Sequence, residues 1–143
     1  MTHPLSNDIF NSDADALVNP VNTVGVMGAG LARAFREKYP KNYKVYKKAC
    51  DDKTLKIGEC LGFFEEGKWI INFPTKIHWN NPSKLEYITS GLFDLIEMCD
   101  WLEINSVAVP MLGCGLGGLN KEEVKPLIIK AFKGAEIDLQ LYE

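Results

Sequence analysis

Ala14-Asp-Ala-Leu-Val-Asn-Pro-Val-Asn-Thr-Val-Gly-Val-Met-Gly-Ala-Gly30 is the stretch on which the reading of the fold turns. Its opening, Ala14 to Asn19, is apolar enough for a buried strand. From Asn19 to Gly30 it becomes a glycine-rich loop, and Leu31 to Tyr39 continues with helical spacing until Pro40 stops it. A strand, a glycine loop and a helix in that order turn free backbone N–H groups and the positive end of a helix dipole toward one spot. Such a spot attracts phosphate, and glycine lets the backbone approach it closely.

The same arrangement recurs. Val107-Ala-Val109 is a short apolar strand, Pro110-Met-Leu-Gly-Cys-Gly-Leu-Gly-Gly118 is the second glycine loop, and Asn120-Lys-Glu-Glu123 caps another helix. Two such cradles imply a diphosphate-bearing ligand. Between them, Cys60 to Glu65 and Lys68 to Phe73 are rich in β-formers and meet at Glu66-Gly67, which predicts an antiparallel hairpin whose second strand ends at Pro74. A short helix is expected over Asn42 to Cys50. Ser83-Lys-Leu-Glu86 reads as a capping box for the longest helix, with apolar spacing through Ile88, Leu92, Leu95, Ile96 and Cys99. Asp138 to Tyr142 supplies a terminal strand. Strands alternating with helices indicate an α/β class, a three-layer α/β/α domain whose hairpin makes the central sheet mixed. Ligands bind such sheets at the carboxyl ends of the strands, where both loops and Lys76 lie.

The totals set bounds. At 143 residues the chain reads as one domain, 1–143, able to bury roughly two thirds of its unfolded surface. A net charge of −3 argues against a wide nucleic-acid groove, so a polyanionic partner is held through a local site. Lys44, Lys47 and Lys48 form either a patch that guides a strand or a solvated helix face. Cys50, Cys60, Cys99 and Cys114 show no C-x-x-C spacing and have only His3 and His78 to supplement them, so no metal site is expected. Cys60 and Cys99 fall in apolar surroundings and read as small buried thiols in a reducing compartment rather than as disulfides. Met1-Thr-His-Pro-Leu-Ser lacks the apolar core of a signal peptide and no run reaches membrane-spanning length. The expectation is a cytoplasmic protein without membrane contact, with monomer as the default state.

Several residues admit both a functional and a structural role. Gly25-Val-Met-Gly28-Ala-Gly30 departs from the G-x-G-x-x-G order of dinucleotide dehydrogenases, and no acid ends a following strand at the required distance. Asn22 is placed to hydrogen-bond a ribose hydroxyl, and Asn19 to tie down the turn. Asp8 either accepts from an adenine amino group or is solvated; Tyr142 either stacks a base or packs on the sheet. His78 either shuttles protons or packs beside Trp79. Glu37, Glu65 and Glu66 read as solvated charges. Lys76 stands out because it is wedged among Pro74, Thr75, Ile77 and Trp79, where an amine can attack an anomeric carbon or stabilise a leaving group.

These residues together resemble the macrodomain family of ADP-ribose binders. The likeness runs from Asn7-Asp-Ile-Phe10 through Ala16-Leu-Val-Asn-Pro-Val-Asn22 and Gly28-Ala-Gly30 to Pro110-Met-Leu-Gly-Cys-Gly115. Within it, Asn72-Phe-Pro-Thr-Lys-Ile-His-Trp79 and Gly113-Cys-Gly-Leu-Gly-Gly-Leu119 are similar to the DarG branch, antitoxin macrodomains that remove ADP-ribose from DNA bases. The resemblance implies the three-layer macrodomain fold and an ADP-ribosyl glycohydrolase acting on ADP-ribosylated single-stranded DNA at thymidine. A DNA ADP-ribosyltransferase toxin is the implied partner, and no metal or redox cofactor is needed. By the same resemblance Asp8 and Ile9 contact adenine and Asn22 the distal ribose, while Tyr142 and Thr75 join the ADP-ribose site. Gly28, Ala29, Gly30 and Leu31, with Gly113, Cys114, Gly115, Leu116, Gly117 and Gly118, hold the phosphates and distal ribose, and Lys76 is catalytic.

The branch is also similar to glycohydrolases that release ADP-ribose from acidic protein side chains. Those pair the lysine with an aspartate in the second loop, where this chain has Gly117. The departure favours the DNA-directed branch and places the chemistry on Lys76. A non-catalytic ADP-ribose reader and an ADP-ribose 1''-phosphate phosphatase are the other activities compatible with the loops. DarG proteins carry a further C-terminal region for the toxin, so a chain stopping at Glu143 reads as a cut-out domain or a free-standing version.

Overall fold

The computed structural model describes residues 2–3 and 8–143. In chain order its elements are β1 (Thr2–His3), a 3-10 turn (Asp8–Asn11), β2 (Ala16–Asn22), α1 (Gly30–Lys38) and α2 (Pro40–Asp51). Then come β3 (Leu61–Glu65), β4 (Lys68–Lys76), α3 (Leu85–Trp101), β5 (Ser106–Pro110), a second 3-10 turn (Gly115–Gly117), α4 (Lys121–Phe132) and β6 (Asp138–Tyr142). The strands form one sheet in the order β1-β6-β5-β2-β4-β3. All neighbours are parallel except β3, which runs antiparallel to β4 as the hairpin requires. β1 is two residues long and had no signal in the sequence.

Side-chain alternation divides the sheet's faces. Ala16, Val18, Ile71, Phe73, Val107 and Val109 pack toward α3 and α4 with Ile88, Leu95, Val124 and Ile128. Leu17, Ile70 and Ala108 face the other way, against Phe35 and Tyr39 of α1 and its end. Both faces are therefore covered, as expected for the buried strands of a parallel sheet. Gly91 lets α3 lie close on the sheet, since a Cβ there would stand 2.3 Å from the Phe73 ring.

Four local expectations are corrected. β2 does not stop at Asn19 but continues through Pro20 to Asn22; it pairs with β5 only at Ala16 and Leu17, so the missing N–H of Pro20 falls where the two strands are already parting. β4 likewise runs through Pro74 to Lys76, with a register shift that pairs Val21 with Pro74 and Asn22 with Lys76. Ser83 does not cap α3: Lys84 occupies that position without a side-chain cap bond, and Ser83 is buried in other contacts. Glu65 is buried, and its carboxylate accepts from the backbone N–H groups of Lys41 and Asn42 at the start of α2. Among the described residues no helix is long and apolar enough to cross a membrane.

Candidate functional site

Because β2 lies between β4 and β5 while the chain visits β4 first and β5 later, the loops leaving β2 and β5 diverge over one crevice. That crevice is a cleft of about 1010 Å³, bounded by both glycine loops and the end of β4. The register shift at the end of β4 skips Thr75 and sets Lys76 beside Asn22. Without it Thr75 would stand there, and the alternation of a strand would turn the Lys76 side chain to the opposite face.

Asn22 organises the first loop. Its Oδ1 accepts from the N–H groups of Val24 (3.2 Å) and Val26 (3.3 Å) and from the Tyr46 hydroxyl (2.8 Å), and its Nδ2 donates to the Val26 carbonyl at 2.7 Å. The Tyr46 hydroxyl also lies 2.8 Å from the Asn22 carbonyl. Burial pushes the Tyr46 phenol well above its ordinary value, so it stays a neutral donor. The side chain expected to read ribose thus spends three of its bonds on shaping the loop through Oδ1, and one hydrogen of its amide is left over. Asn19, expected in a structural role, is buried behind the cleft and donates to Asn72 at 3.2 Å.

Lys76 links the strands to the second loop. Its ammonium nitrogen donates to the carbonyls of Trp79 (3.0 Å) and Leu116 (3.5 Å). It is the one ionisable amine or acid among the described residues lining the cleft, apart from the Cys114 thiol. Burial raises the Cys114 thiol, which keeps it protonated and poorly nucleophilic. Thr23 fastens the first loop to the lysine segment, its N–H and hydroxyl both reaching the Ile77 carbonyl.

The second loop is held by its own backbone. Leu119 N–H donates to Gly113, Gly118 N–H to Gly115, and Gly113, Gly115 and Gly118 have φ of +76°, +67° and +81°. Ser83 bolts it down: its hydroxyl donates to the Thr75 carbonyl and its N–H donates to the Gly117 carbonyl. A Cβ on Gly117 would fall 2.8 Å from the Ser83 hydroxyl oxygen, so Ser83 fills the place of a side chain at that position. An aspartate at Gly117 would therefore require Ser83 to shift.

The cleft brings together Asn22, Gly28, Ala29, Gly30, Leu31, Thr75, Lys76, Gly113, Cys114, Gly115, Leu116, Gly117 and Gly118. Ile9 and Tyr142 do not line it; they are 0% and 3% exposed and share a core cluster with Leu17 and Phe35. Asn7 and the side chain of Asp8 lie outside the described residues. His78 is also off the lining, its Nδ1 bonded to Asn80 Oδ1. The sequence reading missed Ser83, which looked like a helix cap, and Tyr46, to which it gave no role.

A family model described as Macro domain matches residues 18–128. A DNA ADP-ribosyl glycohydrolase of Mycobacterium tuberculosis is 46% identical over 142 residues, covering 96% of this chain and 40% of that protein. The chain thus spans about two fifths of the length of this and similar curated relatives. The solved macrodomain of Mycobacterium tuberculosis DarG superposes with a TM-score of 0.93 at 45% identity, covering 99% of this chain and 97% of that one. Thermosipho africanus DarTG in complex with ADP-ribose superposes at 0.89 and 39% identity, covering 94% of this chain and 39% of that one. The match of the family model from β2 into α4, over the elements that build the cleft, makes this chain a member of the macro domain family.

Proposed function

We propose that this domain is an ADP-ribosyl glycohydrolase that releases ADP-ribose from a nucleobase, thymine in single-stranded DNA, and so reverses the action of a DNA ADP-ribosyltransferase toxin. The observation that carries the reading is the Lys76 amine, held between two glycine loops in a cleft with no other charged side chain among the described residues. At about 1010 Å³ the cleft is at the upper end of the range for small-molecule sites, large enough for a dinucleotide-sized ligand. Similarity to a DarTG structure that holds ADP-ribose supports the choice of ligand.

In this mechanism the loops fix the diphosphate and distal ribose, so binding energy from the part that does not react orients the anomeric carbon against Lys76. Two of the ammonium hydrogens are committed to the Trp79 and Leu116 carbonyls, and the third is directed to a carbonyl oxygen of the base. The C–N glycosidic bond then breaks with the electron pair leaving on the base, water adds its oxygen to the anomeric carbon, and its proton ends on the base nitrogen. No acid is needed in the second loop, consistent with the space that Ser83 takes beside Gly117.

Lys76→Ala should lower the rate of release from an ADP-ribosylated thymidine oligonucleotide by about 10²–10³, the usual loss for one charge-stabilising donor, with ADP-ribose affinity within a few-fold of wild type. If both proteins bind ADP-ribose tightly and neither removes it from the oligonucleotide, the domain is a reader and not an enzyme. A parallel assay on glutamate-linked ADP-ribose decides between nucleobase and protein substrates.

A further inference from the structure

The proposed reaction leaves one conspicuous side chain without a task. Trp79 stands at the mouth of the cleft, 55% exposed, although its backbone carbonyl holds the Lys76 amine at 3.0 Å. From the second loop comes Leu116, 72% exposed, whose carbonyl accepts from the same amine. The reactive nitrogen is thus held by the backbone carbonyls of two residues whose large apolar side chains the fold itself leaves exposed. Trp79 is also not a loose surface group. His78 lies against it with ring centroids 5.2 Å apart and is itself fixed through Nδ1 to Asn80, and the turn is closed by the Asn81 N–H on the His78 carbonyl.

We infer that Trp79 is the platform on which the base bearing ADP-ribose stacks, and that it determines the preference for a nucleobase over an acidic side chain as the leaving group. This rests on the glycohydrolase reading above. The group attached to the anomeric carbon must lie next to Lys76, and Trp79, whose carbonyl holds the Lys76 amine, lines the same cleft and is exposed. A nucleobase offers a flat π-face to such a surface, whereas a carboxylate offers none. Charge points the same way. On α2, Lys47 and Lys48 are paired with Asp51 and Asp52, and the chain carries a net charge of −3, which gives little general attraction for backbone phosphates. Stacking on an aromatic face needs no such attraction.

The experiment compares wild type, Trp79→Ala and Trp79→Phe for release of ADP-ribose from an ADP-ribosylated thymidine oligonucleotide, with ADP-ribose affinity measured by calorimetry on the same proteins. Trp79→Ala should lose about tenfold to a hundredfold in kcat/KM, the size of a base–aromatic stack, carried mainly by KM. Trp79→Phe should recover most of it, and ADP-ribose affinity should stay within about twofold. Unchanged kcat/KM in Trp79→Ala overturns the platform while leaving the glycohydrolase reading intact. So does a loss confined to kcat, which would make Trp79 a positioning residue for Lys76, or a parallel fall in ADP-ribose affinity. A wild-type protein that binds ADP-ribose without releasing it from the oligonucleotide refutes the reading of the reaction and this inference with it.

Discussion

In the loop after β2 the organising bonds come from one side chain, the Asn22 carboxamide, which gathers two backbone N–H groups, a backbone carbonyl and the Tyr46 hydroxyl. In the loop after β5 they come from the backbone, with three glycines at positive φ and Ser83 packed against Gly113 and Gly117. Both loops line one cleft, yet they fail in different ways. A loop tied by a polar side chain is weakened by removing the tie and tolerates added carbon where its backbone is not left-handed, as at Gly28, though not at Gly25 or Gly30, whose φ are +87° and +58°. A loop whose shape requires left-handed backbone and close steric contact is weakened by any added Cβ.

Gly113→Ala should have the largest effect on stability. The residue has a φ of +76°, and its Cβ would fall 2.6 Å from Leu119 Cδ1 and 3.2 Å from both Ile88 and Ser83. Left-handed strain and overpacking together should cost about 2–4 kcal/mol, measurable as a lowered midpoint in urea. A loss below about 0.5 kcal/mol would mean that the second loop bends readily, and the contrast between the loops would collapse.

The same contrast explains what was legible in the sequence. Signals that act within a few residues were read correctly: Asn120 does cap α4, accepting from Glu122 N–H at 2.8 Å, and Asp138–Tyr142 is a strand over its predicted length. The glycine loops were visible for the same reason, since glycine marks a demand of the local backbone. Where distant chain competed for a group, the local rule lost. Ser83 has the spacing of a capping residue, but its N–H and hydroxyl are taken by Gly117 and Thr75. Glu65 ends a hairpin strand and looked solvated, yet it serves the start of α2, 23 residues back in the chain at Asn42. Pro74 has the local signature of a strand end, and β4 passes it because the register shift at Thr75 absorbs the misfit. In the cleft, Lys76 was legible as an unusual neighbour of apolar residues. The partnership of Asn22 with Tyr46, 24 residues apart, was not.

Asn22→Ala tests the other half of the comparison and should have an intermediate effect. It leaves the N–H groups of Val24 and Val26 without their acceptor, while Tyr46 keeps the Asn22 backbone carbonyl. The expected cost is about 1–2 kcal/mol, because these groups are only partly buried and water can replace part of what is lost. The loop should loosen more than the fold, so ADP-ribose affinity should fall by more than tenfold while the urea midpoint moves modestly. Affinity within twofold of wild type would show that the loop keeps its shape without the carboxamide.

Gly28→Ala should have the smallest effect on stability, and for that reason it separates fold from binding most cleanly. Gly28 lies in the first loop without positive φ, and an added Cβ would meet only Val26 Cγ1, at 3.3 Å, the end of a side chain that is 40% exposed and free to give way. The unliganded fold therefore has little to lose, and Tm should stay within about 2 °C, which for a domain of this size corresponds to roughly 0.5 kcal/mol. In the proposed complex, however, Gly28 is where backbone and diphosphate meet, and a methyl group in that gap pushes the phosphate away from the N–H groups that hold it. ADP-ribose affinity should then drop by about tenfold or more with Tm unchanged, the reverse of what Gly113→Ala does. If affinity instead follows Tm at both positions, the first loop is no more than a turn, and the diphosphate is held by the second loop alone.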